Sequence, residues 1–213
     1  MSAETRAREE ICRIGASLYQ RGYVHSSAGN ISVRLEDGWL ITPRDACLGF
    51  LDPTAIARVD REGRQVSGDR PSKTLTLHRL IYGESAGSCA VLHTHSTHLV
   101  RLSLAGVWAS DDILPPITPY YVMKVGHVPL IPYHRPGDPA AAEKVRLAAA
   151  RGVRAVLLER LGPVVWQQSV AAAACLLEEL EETAKLWLAA TDKPPPLNEE
   201  QIEELRRAFG AVW

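Results

Sequence analysis

The chain has 213 residues, a formal net charge of −1, 46% hydrophobic residues and 23% charged residues, as expected of one globular domain with a sizeable core. It has no block of Lys and Arg and no apolar run of about 18 residues, so its composition favours neither nucleic-acid binding nor membrane binding. The N-terminal segment lacks a signal-peptide core, and the four cysteines have no Cys-x-x-Cys spacing. These features predict a cytoplasmic protein with reduced, mostly buried thiols.

The N-terminal part predicts one amphipathic helix followed by hairpins. Ile11, Ile14 and Leu18 recur on one face of a helix over residues 3–21, which Gly22 ends. Alternating apolar residues separated by turn residues then predict two hairpins. Their strands are expected at residues 29–35, 39–42, 59–60 and 65–66.

The middle of the chain predicts a buried strand between two short helices. These elements are expected at residues 75–82 (helix), 90–92 (strand) and 97–104 (helix). The proline-rich segment 115–121 cannot be helical, and we expect it to cross the surface or an active site.

The C-terminal part predicts further strands and three helices. The strands are expected at residues 128–131, 155–158 and 164–166, and the helices at 138–151, 170–190 and 199–209, the last capped by Asn198. Glu178, Glu179, Glu181 and Glu182 are expected on the solvent side of the long helix. Helices interspersed with hairpin strands predict an α/β fold with a mixed, mostly antiparallel sheet and helices on its faces.

The sequence His93-Thr94-His95 directly follows the predicted buried strand. Alternate strand residues point to the same face, so the two imidazoles are expected side by side. Such a pair provides nitrogen ligands for a divalent metal such as zinc, although a third ligand must come from elsewhere. The alternative interpretation is a pair of hydrogen-bonded or surface histidines.

Several motifs together resemble the class II aldolase/adducin family, which includes the fuculose-phosphate aldolases. The resemblance extends from about Glu9 to Leu188, and its motifs are Ser27-Ala28-Gly29-Asn30-Ile31-Ser32, Thr42-Pro43, Pro71-Ser72, His93-Thr94-His95 and Gly162-Pro163-Val164. A closer resemblance is to the 3-oxo-tetronate 4-phosphate decarboxylase branch, through segments such as Ser67–Lys73, Thr118-Pro119-Tyr120 and Arg135-Pro136-Gly137-Asp138.

The resemblance implies a three-layer αβα fold, a homotetramer with sites at subunit interfaces, and a catalytic zinc or other divalent metal. Because Pro194-Pro195-Pro196 ends the compact part of the chain, we expect a domain of this family over residues 1–193 and a helical tail over residues 194–213. The implied substrate is a sugar-acid phosphate, and the implied reaction is decarboxylation of a 3-oxo-tetronate 4-phosphate to dihydroxyacetone phosphate and carbon dioxide.

The resemblance also implies roles for individual residues. His93 and His95 would bind the metal, and Tyr120 would donate a proton. Lys73 would supply positive charge for a phosphate or carboxylate. The phosphate would be held by small donors, namely Gly29, Asn30, Thr42 and Ser72. Each has a structural alternative: Asn30 could close a turn, Lys73 could be a solvated residue, and Tyr120 could be a packing residue.

Three positions depart from the family pattern. Thr74 stands where the family has a catalytic glutamate, and a threonine hydroxyl cannot accept a proton near neutral pH. Leu161 stands where the family has a third zinc histidine, and Asp45 replaces a glycine of the phosphate loop. A third metal ligand could come from Glu159, His127 or His134, or there could be none.

Two functions of different classes remain open at this point. One is a metal-type decarboxylase with an altered site. The other is a family member that has lost catalysis and serves in binding or assembly. The absence of the family glutamate at position 74 disfavours a third function, a sugar-phosphate aldolase, because aldol chemistry requires proton abstraction whereas loss of carbon dioxide generates the carbanion directly.

Overall fold

The computed structural model describes residues 1–213 and contains one eight-stranded sheet with helices on both faces. The strands are β1 (Asn30–Leu35), β2 (Gly38–Ile41), β3 (Ala57–Asp60), β4 (Gln65–Ser67), β5 (Ala90–His93), β6 (Leu130–Ile131), β7 (Ala155–Leu158) and β8 (Gly162–Gln167). The helices are α1 (Ala3–Gln20), α2 (Leu75–Glu84), α3 (Thr97–Ala105), α4 (Pro139–Ala150), α5 (Val170–Ala189) and α6 (Glu199–Phe209).

The strand order across the sheet is β4-β3-β2-β1-β5-β8-β7-β6. Only β6 and β7 pair in parallel, and all other neighbours are antiparallel. The mixed, mostly antiparallel sheet expected from the sequence is therefore confirmed. This order places β5, which carries His93, at the centre of the sheet between β1 and β8.

The sheet separates two apolar layers. Leu92 packs into the larger layer, which also contains side chains of α1, α3 and α5. Val91, the neighbouring residue on β5, packs on the opposite face with Ile81 of α2 and Val145 of α4. This alternation follows from the two-residue period of a strand. It gives the three-layer αβα arrangement that the family resemblance implies.

Four local predictions were wrong. The segment 115–121 was expected not to be helical, but Pro119 and Tyr120 are helical and lead into a π-helix over Tyr121–Val125, because a proline is tolerated in the first turn of a helix. The strand expected at residues 128–131 is limited to Leu130–Ile131, since Val128 instead donates its N–H to a carboxylate oxygen of Asp112. Glu181, expected on the solvent side of α5, is 4% exposed. Cys89 and Cys175 are exposed rather than buried, although all four cysteines are free thiols.

The C-terminal segment packs against the larger apolar layer. Ile202 of α6 is buried, and Trp213 contacts that layer. Asn198 and Gln201 form a reciprocal capping box that starts α6, as the predicted cap requires. None of the helices combines the length and apolar character needed to cross a membrane.

Candidate functional site

A cavity of about 450 Å³ opens where β5 ends, on the face of the sheet that carries α2 and α4. It brings together most of the site residues expected from the sequence: Gly29, Asn30, Ser72, Lys73, Thr74, His93 and His95. These residues come from three separate parts of the chain. The sheet therefore assembles one site from the loop before β1, the start of α2 and the end of β5.

The two strand histidines lie together as the spacing predicts. The ring centroids of His93 and His95 are 5.0 Å apart, and His93 is 5% exposed. Nδ1 of His93 donates to the carbonyl oxygen of Pro163 at 2.7 Å. Burial, then the neighbouring His95, lowers the pKa of His93 to about 4. His93 is therefore neutral near pH 7, with its Nε2 lone pair available for a metal or a proton.

Two glycines allow the backbone to approach these histidines. A Cβ on Gly29, which has φ +83°, would lie 2.6 Å from the carbonyl oxygen of His93. A Cβ on Gly162, which has φ +133°, would lie 2.2 Å from the carbonyl oxygen of Thr94. Any side chain at either position would push the adjacent loops away from β5.

The other side of the cavity offers groups suited to an anion. Thr74 precedes α2, and no side chain caps the first turn of that helix, so backbone N–H groups remain for a ligand. The Ser72 and Thr74 hydroxyls lie 3.0 Å apart, and Lys73 is exposed and forms no ion pair. Asn30 is 6% exposed, and its amide N–H2 group can donate to an anion, whereas its Oδ1 atom, which has no hydrogen-bond partner, can only accept. Together these groups resemble a phosphate site.

Two predicted site residues lie outside the cavity. Thr42 is 1% exposed and supports the cavity wall, because its hydroxyl accepts from the N–H of Ile31 and its carbonyl from the N–H of Ser72. Tyr120 is 60% exposed and does not line the cavity of its own chain. A role for Tyr120 at this site would therefore require a second subunit.

The three departures from the family pattern all fall on the cavity wall, at Asp45, Thr74 and Leu161. Asp45 adopts φ +60°, the left-handed conformation that explains a glycine at this place. Aspartate tolerates that conformation better than most residues, but it adds a negative charge near the phosphate-type donors. Leu161 follows Arg160 in the turn between β7 and β8, where it adds an apolar group beside the histidines.

The donor set does not complete a metal site. No three His, Cys, Asp or Glu side chains lie where they could hold one ion. Glu159 lies in the cavity wall in a turn, not on the strand face that the sequence interpretation required, and its Oε2 accepts from the N–H of Tyr133 at 2.8 Å. His134 lines the cavity, with Nδ1 donating to the carbonyl oxygen of Pro132 at 2.6 Å.

The third alternative ligand, His127, lies elsewhere. It pairs with Asp112, and its ring centroid is 4.3 Å from that of Trp213. His127 therefore lies on the face of the sheet with the larger apolar layer, which also contains Val128 and contacts Trp213. The chain reaches the opposite layer only at Ile131. His127 is therefore excluded as a ligand within its own chain.

Sequence reasoning missed His78, which lies one helical turn after Thr74 and lines the same cavity. His78 is fully buried, its Nδ1 lies 2.7 Å from the Ser32 hydroxyl, and its Nε2 has no partner. The Ser32 hydroxyl in turn lies 2.8 Å from that of Tyr82. A histidine at helical spacing from the Ser72–Thr74 turn was the only available signal.

Comparison with known proteins gives a consistent family. Residues 9–188 match the model of the class II aldolase and adducin N-terminal domain. A protein of Cupriavidus necator called 3-oxo-tetronate 4-phosphate decarboxylase is 66% identical over the whole of both chains. L-fuculose phosphate aldolase of Escherichia coli K12 is 31% identical, covering 88% of this chain and 86% of the relative.

A solved structure supports the same relationship. The crystal structure of YgbL from Escherichia coli superposes with a TM-score of 0.91 at 44% identity, covering 96% of this chain and all of that one. The similarity therefore includes the sheet, both helical layers and the elements that form the cavity.

Proposed function

Because the chain belongs to the class II aldolase and adducin family, we propose that it is a lyase that decarboxylates a 3-oxo-tetronate 4-phosphate to dihydroxyacetone phosphate and carbon dioxide. One observation carries the proposal: phosphate-type donors, the unpaired ammonium of Lys73 and two adjacent imidazoles line one cavity. The relative that is 66% identical has the same named activity.

In this reaction the bond between C1 and C2 breaks, and its electron pair moves through C2 and C3 to the ketone oxygen. We propose that the ammonium of Lys73 stabilises the enediolate oxygen, since Lys73 lines the cavity and forms no ion pair that would have to break first. A cation near this oxygen stabilises the anionic transition state more than the neutral ketone. A proton added at C2 then gives dihydroxyacetone phosphate.

The replacement of the family glutamate by Thr74 favours decarboxylation over aldol chemistry. Loss of carbon dioxide generates the carbanion without a base, whereas aldol condensation requires abstraction of a proton from the ketone. A missing general base typically costs about 10²- to 10⁴-fold in rate. We therefore expect aldolase activity to be negligible.

A zinc ion or another divalent metal is the cofactor that the family implies, and it would polarise the ketone oxygen as a Lewis acid. His93 and His95 would supply two nitrogen ligands. Thr74 and Leu161 remove the family's other donors, and no substitute completes the set. The proposed chemistry is therefore assigned to Lys73 and to the hydrogen-bonding groups of the cavity.

We also propose a homotetramer with sites shared between subunits. The exposed Tyr120 lies outside its own cavity, which suits a proton donor that acts in a neighbouring subunit's site. Size-exclusion chromatography with light scattering would test the assembly directly.

The activity is tested by coupling dihydroxyacetone phosphate release from a 3-oxo-tetronate 4-phosphate to a glycerol-phosphate dehydrogenase. We expect Lys73→Met to lower kcat by about 10²-fold, comparable to the loss of one group that stabilises a developing oxyanion. The matched control, Lys144→Met, changes an exposed lysine on α4 that does not line the cavity. No turnover by the unaltered protein, with phosphate binding retained, would instead support a member that has lost catalysis.

A further inference from the structure

The cavity has a second end, which carries the guanidinium of Arg135. Arg135 and His134, in the loop after β6, line it together with Asp138 and the first turn of α4. This end lies across the cavity from the Ser72–Thr74 turn that begins α2. The proposed phosphate donors account for the α2 end only, so the α4 end has no assigned ligand.

The two ends are a short distance apart. Helices α2 and α4 pack against each other, and the first turns of both line the cavity. Packed helices lie about 8–10 Å apart at their contact, and the cavity that both first turns line has a volume of about 450 Å³. A four-carbon acid phosphate has five bonds from phosphorus to the carboxyl carbon, which span about 6 Å when extended. A ligand of this length can contact both ends.

Arg135 is the cation at the α4 end, and its one ion pair there is long. Its Nε atom is 3.9 Å from Asp138 Oδ2, and its side chain is 72% exposed. The neighbouring acids are held by backbone groups, because Asp138 accepts from the N–H of Ala140 at 2.9 Å and Glu159 from that of Tyr133 at 2.8 Å. Most N–H donors of the guanidinium therefore remain for a ligand, and their planar fork matches a carboxylate.

We propose that Arg135 binds the carboxylate of the substrate while the turn before α2 holds its phosphate. The assignment rests on the proposed decarboxylase function and makes Arg135 a specificity residue. It separates acid phosphates from sugar phosphates that lack a carboxylate. Because the contact is exposed, it stabilises the carboxylate only modestly and does not strongly oppose loss of carbon dioxide.

The test compares two non-reacting ligands by isothermal titration calorimetry. A tetronate 4-phosphate carries both anions but has no ketone, and glycerol 3-phosphate carries only the phosphate. We expect Arg135→Gln to weaken tetronate 4-phosphate binding about fivefold or more and to leave glycerol 3-phosphate binding unchanged, as expected for one exposed charged contact. Arg151→Gln is the matched control, since Arg151 is exposed at the opposite end of α4.

Kinetics provide a second readout. Arg135→Gln should raise KM for the 3-oxo acid phosphate with kcat unchanged or slightly higher. Equal affinities of Arg135→Gln and the unaltered protein for tetronate 4-phosphate would overturn the assignment and leave the decarboxylase proposal intact. Equal weakening of both ligands would also overturn it, because that pattern indicates a general electrostatic effect. If the unaltered protein binds neither ligand, both proposals fail.

Discussion

At the scale of single residues, two substitutions determine what this cavity can hold. Thr74 and Leu161 line the same cavity as His93 and His95, yet neither offers a strong metal ligand. The paired imidazoles remain 5.0 Å apart, a spacing close to the roughly 5 Å expected for two histidines on one zinc. The site therefore contains two histidines spaced as two ligands of one zinc ion would be, without further ligands beside them.

Leu161→His is predicted to restore metal binding. A third imidazole beside the existing pair would complete the minimum number of protein ligands found in zinc sites. We expect the variant to hold close to one zinc per chain by elemental analysis, and the unaltered protein to hold clearly less. The control, Leu147→His, places a histidine on the exposed face of α4, away from the cavity. Equal zinc content in the unaltered protein and both variants would contradict the prediction.

A pH dependence of stability follows from His78. Burial, then the neighbouring His93, lowers the pKa of His78 to about 3, whereas the unfolded chain has an ordinary histidine pKa of about 6.5. Below pH ~6.5 the unfolded state binds the proton and the folded state does not. The contribution of neutral His78 to the free energy of unfolding is therefore complete above pH ~6.5. This contribution is lost as the pH falls from there towards 3.

For His78→Asn, we expect the free energy of unfolding to fall less between pH 7 and pH 5 than it does for the unaltered protein. The difference should be about 2 kcal/mol, because one pKa unit corresponds to about 1.4 kcal/mol. Urea unfolding at both pH values measures it. His134→Asn, at a partly exposed histidine, should retain the full dependence. Parallel curves for the unaltered protein and His78→Asn would rule out this source of acid sensitivity.

At the scale of secondary-structure elements, a buried carboxylate on α5 fixes the start of α3. Glu181 accepts from the N–H groups of His98 and Leu99 at 2.8 and 3.0 Å, and its Oε1 lies 2.8 Å from His98 Nδ1. A carboxylate at a helix N-terminus satisfies free N–H groups and interacts favourably with the helix dipole. α3 begins at Thr97, two residues after His95, so this contact supports the loop that carries the site.

Glu181→Ala is predicted to destabilise the protein by about 2–4 kcal/mol, because it leaves buried N–H groups without an acceptor. Glu181→Gln keeps one carbonyl acceptor and should cost less. Urea unfolding monitored by circular dichroism measures both changes. A loss below about 0.5 kcal/mol for Glu181→Ala, the range of a surface substitution, would show that water replaces the carboxylate.

The same contact illustrates what a sequence pattern can and cannot predict. Periodicity predicts that α5 exists. It does not show which of the four glutamates between positions 178 and 182 points inwards, and the structure identifies Glu181, which caps α3. The placement of His93 beside His95 was predictable, since it depends only on the strand period and a buried β5. The position of Arg135 in the cavity wall was not predictable, because it depends on how α4 packs against α2.

At the scale of the whole molecule, the sheet separates the cavity from the C-terminal tail. The cavity lies on the side of α2 and α4, whereas Trp213 packs on the other side. The Trp213 ring centroid is 5.4 Å from that of Tyr121, and the Arg206 guanidinium donates to the Trp213 carbonyl oxygen at 2.7 Å. The tail therefore covers the buried Tyr121, whose hydroxyl has no partner.

Trp213→Ala is predicted to lower the free energy of unfolding by about 2 kcal/mol, less than for a fully buried tryptophan because Trp213 is partly exposed. Affinity for tetronate 4-phosphate should not change, since an eight-stranded sheet lies between the tail and the cavity. Val212→Ala is the control, because Val212 is 74% exposed. Urea unfolding and calorimetry separate the two effects. If Trp213→Ala weakens ligand binding and the molecular mass in solution does not change, the tail and the cavity are coupled through the sheet. If the molecular mass falls as well, the tail acts through an interface between subunits, as the proposed homotetramer would provide.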